Sequence, residues 1–130
     1  MCLKNNNRVE ITGWDCPDLY GNQEMLLQIF INLVVNANRH TQNGTVTVSA
    51  SQEESYEYVV FRVGDTGTGI PEAARERLFQ KGYSQDGSSG LGLSLCREAV
   101  EAHGGQIELE KTGPEGSVFR FTVLKRRLEP

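Results

Sequence analysis

Three short stretches of this sequence combine residue types and spacings that can do chemistry. The first is Asp65-Thr66-Gly67-Thr68-Gly69-Ile70-Pro71, an aspartate followed by two glycines two residues apart. Glycines let a ligand come closer to the backbone than a Cβ would allow. Asp65 continues the period-two face of Val59, Phe61 and Val63, so it ends the inward side of an apolar strand. A carboxylate placed there needs a donor, and the exocyclic amine of a nucleobase is one. A glycine turn capped by an aspartate would leave the same letters.

The second stretch is Gly90-Leu91-Gly92-Leu93-Ser94, at the expected start of a helix. Unbonded N–H groups and the helix dipole make such a start an anion site, although a loop running into a helix reads the same way. Neither glycine cluster gives GxGxxG, and no Gly-Lys pair marks a P-loop. The third stretch is Asn32 and Asn36, four residues apart, with Arg39 or His40 a turn later. At that spacing the amides project side by side from a helix. An amide oxygen suits Mg²⁺, which bridges to substrate phosphates, and the cations suit phosphate directly. A solvated helix face is the plain alternative.

These residues need elements to hold them. Residues 8–12 alternate as a strand, and Asn22 is placed to cap a helix over 23–41 whose core face is Leu26, Ile29, Phe30, Leu33 and Ala37. Asn43-Gly44 marks a turn between that helix and strands at 45–50 and 57–64, which should pair antiparallel. PEAARERLF (71–79) is helix-forming, and 80–90 is rich in Gly and Ser and reads as mobile. A helix over 92–103 closes on His103-Gly104-Gly105, and strands at 106–110 and 117–124 flank a KTGPEG turn. This order predicts an α+β two-layer sandwich, with a mixed, mostly antiparallel sheet and helices on one face.

The length of 130 residues fits one domain, residues 1–130, with 1–7 read as a linker remnant. A net charge of −4 argues against nucleic acid as a partner. No apolar run exceeds the four residues Tyr58 to Phe61, and the first residues lack an apolar h-region, so membrane contact and secretion are not expected. Cys2, Cys16 and Cys96 have no metal-ligand spacing and read as reduced thiols of a cytoplasmic domain.

Taken in order, the stretches resemble the ATP-binding catalytic domain of sensor histidine kinases, within the wider family of DNA gyrase and mismatch-repair ATPases. QIFINLVVNANRHT is similar to the family's N box, DTGTGIP to its first glycine box, LFQKGYS to its phenylalanine box, and GSSGLGLSLCREAVEAHGG to its second glycine box. GSVFRFTVL resembles the closing strand. The resemblance runs from about residue 8 to the last strand and implies the Bergerat-type ATP-binding sandwich.

It also implies roles. Asn36 would coordinate Mg²⁺, with Asn32 beside it as part of the catalytic set and Arg39 or His40 near the phosphates of ATP. Asp65 would accept from the adenine amine, with Gly67, Gly69 and Ile70 around the base. Phe79 would belong to a lid reaching to Gly90, and Gly90, Leu91, Gly92 and Leu93 would meet the phosphates. The family's ATPase members carry a glutamate general base where this chain has Asn32, so hydrolysis should be poor and transfer to a partner favoured. The partners implied are a separate domain bearing the phosphoacceptor histidine, with a response regulator downstream. His40 and His103 do not suit the acceptor role: the first lies in the N box and the second at a helix end. Competing readings are a serine kinase or regulatory module of the same fold, or a degenerate binding domain.

Overall fold

The computed structural model describes residues 6–17, 19, 23–52, 54–80 and 92–125. Its elements are β1 (Arg8–Trp14), α1 (Gln23–Arg39), β2 (Thr45–Ser51), β3 (Tyr58–Asp65), α2 (Glu72–Arg75), α3 (Gly92–Ala102), β4 (Ile107–Gly113) and β5 (Gly116–Leu124). The five strands form one sheet in the order β1-β2-β3-β5-β4. β1 runs parallel to β2, and every other pair is antiparallel. This is the mixed, mostly antiparallel sheet that the element order predicts.

The alternation along β3 decides which face meets the helices. Val59, Phe61 and Val63 lie opposite Val123, Phe121 and Phe119 of β5, and all six are buried. α1 covers them with Leu26, Ile29, Leu33 and Ala37, its 3.6-residue stripe. Phe30 of the same helix is half-buried and meets Phe61 and Phe121 edge-on, with ring centroids 5.2 Å away in both cases. Full burial of side chains such as Ile29 and Leu33 contributes roughly 1.5–3 kcal/mol each. α3 adds Cys96 and Val100 to the same core. It ends as its glycines require: Gly104 adopts φ 74°, and Gly105 N–H returns to the Val100 carbonyl at 3.0 Å.

The opposite face is organised by charge. Arg62 donates through two nitrogens to Glu110 at 2.8 and 2.9 Å and through a third to Glu54 at 2.8 Å. Arg120, its cross-strand neighbour, lies 3.6–3.7 Å from Glu54, Glu108 and Glu110. The Arg62 guanidinium holds the Glu54 and Glu110 carboxyls below their ordinary value.

Several expectations are corrected. The helix over 71–79 shortens to Glu72–Arg75, and Arg77 and Gln80 then bond three residues back, to Ala74 and Arg77. That tighter path buries Ala74 and Leu78 and sets Phe79 edge-on against Phe119, at 6.0 Å between centroids. The KTGPEG turn contracts to Pro114-Glu115, because strand pairing continues through Gly113↔Gly116. Asn7, assigned to a linker, is fully buried. Cys2, Asn22, Gly90, Leu91 and the lid segment from 81 lie outside the described residues. Among the described residues no helix is long and apolar enough to cross a membrane.

Candidate functional site

The candidate residues converge where the C-terminal half of α1 meets the turn after β3. β3 delivers Asp65 to the helix-facing side of the sheet, between Val46 of β2 and Ser117 of β5. Its carboxylate accepts the Gly67 N–H at 2.9 Å, so part of its acceptor capacity folds the turn. The next residues dock on β4: Ile70 N–H donates to Thr112 Oγ1 at 2.8 Å, and Thr112 shares a 2.7 Å hydrogen bond with the buried Ser117 hydroxyl. Thr112 and Ser117 carried no signal in sequence, since a strand threonine and serine are ordinary. Cross-strand pairing alone makes them supports of the turn.

The glycines of this turn have a definite neighbour. A Cβ on Gly67 would collide with the His40 carbonyl and lie 2.9 Å from Thr41 Oγ1. A Cβ on Gly69, whose φ is 85°, would collide with the Gly113 carbonyl of β4. The close approach demanded here is therefore of protein backbone, not only of a ligand. It seats the Asp65 turn at the C-terminal end of α1, on the His40–Thr41 segment four to five residues beyond Asn36. Thr41 Oγ1, at this contact, is the buried side-chain polar atom without a hydrogen-bond partner among the described residues.

Along α1 the two amides differ. Asn32 accepts from Gln28 Nε2 at 3.0 Å and donates to the Gly92 carbonyl at 3.4 Å, joining α1 to the start of α3. The neighbouring Cys96 thiol donates to the Ile29 carbonyl at 3.7 Å and is pushed up to about 11, chiefly by burial and against the pull of the Asn32 amide. Asn36 is half-buried and has no side-chain hydrogen bond among the described residues. Arg39 is exposed at the helix end, and His40 is half-buried.

At α3, Gly92 faces open space among the described residues: a Cβ built there meets nothing within 4 Å. Leu93 packs partly against the core. Ile70 and Phe79 depart from a purely ligand-facing role, since Ile70 is a core side chain and Phe79 packs on β5. His103 is buried, with Nδ1 2.7 Å from the Ala99 carbonyl, as a helix-end histidine should be. The described residues gather no group of three or more His, Cys, Asp or Glu that could hold a metal by themselves.

Comparison with known proteins agrees with this fold. A family model described as histidine kinase-, DNA gyrase B-, and HSP90-like ATPase matches residues 21–127. The chain is similar to the adaptive-response sensory kinase SasA of Gloeothece citriformis, 39% identical over 115 residues. That match takes in 84% of this chain and spans 29% of the kinase. Among solved structures it is similar to full-length ShkA in complex with AMPPNP, with a TM-score of 0.84 and 28% identity over 98% of this chain and 27% of that one. The nucleotide-free catalytic domain of histidine kinase ThkA superposes with a TM-score of 0.74 and 33% identity, over 92% of this chain and 78% of that one. ThkA is also known in complex with the response regulator protein TrrA.

Proposed function

This chain belongs to the histidine kinase-, DNA gyrase B- and HSP90-like ATPase family, and we propose that it is the Mg²⁺–ATP-binding catalytic domain of a two-component sensor histidine kinase. In this reading it donates the γ-phosphoryl group of ATP to a histidine on a separate domain, with a response regulator receiving the group afterwards. The observation that carries the reading is the seating of the Asp65 turn on the His40 end of α1, which brings the aspartate and the amide-bearing helix to one corner. The ShkA complex with an ATP analogue supports it from outside the chain.

The residues present suit this ligand. Asp65 spends one oxygen on Gly67 and keeps acceptor capacity for an adenine amine. The Thr41 hydroxyl, packed against Gly67, is a buried polar atom with no hydrogen-bond partner among the described residues. Asn36 has its amide oxygen uncommitted, and a lone amide suits Mg²⁺, which takes its remaining ligands from water and phosphate. Arg39 and His40 can orient phosphate oxygens at the helix end. Bound Mg²⁺–ATP would supply the phosphoryl group and the neutralising charge. Asn32 has no proton-accepting group, and both ends of its amide are already bonded to Gln28 and Gly92. Water is therefore not activated from this position, which favours transfer to an acceptor brought by another domain.

The test is calorimetric titration of the chain with a non-hydrolysable ATP analogue, with and without Mg²⁺, followed by incubation with labelled ATP and a helical domain bearing an acceptor histidine. Binding strengthened by Mg²⁺, loss of that strengthening in Asn36→Ala, and label on the acceptor are expected. Absence of nucleotide binding would sink the reading. Fast phosphate release without an acceptor would move it to the ATPase branch.

A further inference from the structure

Asn7 lies just ahead of β1 and is fully buried. Its Nδ2 donates to the Thr41 carbonyl at 2.7 Å, to Asn38 Oδ1 at 2.8 Å and, more weakly, to the Asn38 carbonyl at 3.3 Å. Its Oδ1 accepts the Gly44 N–H at 3.0 Å. All these partners belong to one segment, the last turn of α1 and the turn into β2. The neighbours of Asn7 reinforce the contact: Asn6 donates to Asn43 Oδ1 at 2.9 Å, and Arg8 N–H to the Gly44 carbonyl at 2.9 Å.

The other side of that same segment carries the Asp65 turn. Gly67 lies against the His40 carbonyl and the Thr41 hydroxyl, and Gly44 lies against the Thr66 side chain. Thr45 N–H donates to Thr66 Oγ1 at 3.0 Å, and Thr66 N–H to the Thr45 carbonyl at 3.2 Å. Residues 38–45 are thus clamped between Asn7 and the turn that bears Asp65. Backbone contacts of this kind leave no slack, so a shift of the α1 end moves Asn36 and Asp65 relative to each other.

We propose that Asn7 is a positioning residue of the nucleotide site, setting the last turn of α1 against the Asp65–Gly67 turn through its hydrogen bonds to Asn38, Thr41 and Gly44. The proposal rests on the reading of that corner as the ATP site. It explains why a polar side chain outside every motif is completely buried and bonded at both ends of its amide. Burying an amide is worthwhile only when every bond is made, and here each bond goes to the segment that joins the two halves of the site.

The experiment compares Asn7→Ala and Asn7→Asp with Val123→Ala, a buried β5 position outside the corner, by analogue titration at a temperature where circular dichroism shows each chain folded. Asn7→Asp retains the acceptor for Gly44 and loses the donors, so it serves if Asn7→Ala does not fold. Both Asn7 variants should bind the analogue roughly tenfold more weakly or worse, the scale expected when a distant change misplaces site groups. Their Gly67 amide resonance should move as well. Val123→Ala should melt earlier yet bind within about twofold of the unmodified chain. Unchanged affinity in the Asn7 variants, or a loss matched by Val123→Ala, overturns the positioning role alone. An unmodified chain that binds no analogue overturns the ATP reading and this inference with it.

Discussion

Gly67 and Gly92 come from the two glycine clusters, and their surroundings are opposite. Gly67 is enclosed by the carbonyl of His40 and the hydroxyl of Thr41, whereas a Cβ on Gly92 would meet no described atom within 4 Å. The first glycine is required by the protein's own packing, because it lets the turn after β3 sit on the end of α1. The second meets no described contact, so a substitution there can probe ligand binding without breaking a described packing contact. One sequence signal, paired glycines beside an apolar element, thus meets two different surroundings among the described residues.

Gly67→Ala is the harshest way to break this comparison. The backbone of α1 would have to yield, at about 3 kcal/mol or more. A fall in melting temperature on the order of 10 °C is expected in thermal denaturation. A melting temperature within a degree or two of the unmodified chain would show that the contact is soft.

Asp65→Asn separates folding from binding within the same turn. The asparagine oxygen can still accept the Gly67 N–H, while its NH₂ presents a donor where a second acceptor stood. Analogue affinity should fall by about 2 kcal/mol or more at nearly unchanged melting temperature. Loss of stability without loss of affinity would reassign Asp65 to the turn alone.

Gly92→Ala should do the reverse of Gly67→Ala. Melting should be unchanged or slightly raised, since alanine favours helix by up to about 1 kcal/mol. Analogue affinity should drop about tenfold by calorimetry, as a methyl group intrudes where phosphate would meet the start of α3. A destabilised chain with intact affinity would make the two glycines alike after all.

The smallest effect belongs to the outer face, which serves as the reference away from the site. Glu54 and Glu110 have folded-state values below the ordinary 4.5. Their contribution is therefore present above that value and lost as pH falls through it towards the lower folded values. Arg62→Met should flatten the fall of melting temperature below about pH 4.5 and cost about 1 kcal/mol or less near neutrality, because the carboxylates are a third or more exposed. Nucleotide affinity should not change. An affinity loss would mean that the outer face reaches the site.

The legible parts of the site were those written as local patterns. The stripe of Leu26, Ile29, Leu33 and Ala37 defined α1, and alternation along β3 placed Asp65 on the helix side, both as the structure has them. Asn7 was illegible because a run of asparagines reads as linker, and only the fold brings Thr41 and Gly44 around it. The engagement of Asn32 by Gly92 joins residues 60 positions apart, a separation that no periodicity records.

By itself the sequence determined the two long helices, the strands, their apolar faces and the identity of the chemical groups, because helical and strand periods are properties of neighbouring residues. The tertiary structure alone decided which of those groups remain uncommitted. Among the described residues Asn36 keeps its amide while Asn32 gives its own to Gln28 and Gly92, and Gly67 is filled in by backbone while Gly92 meets no contact. The reason is that a polar group's availability depends on what long-range packing places within hydrogen-bond reach, and sequence spacing does not encode that distance.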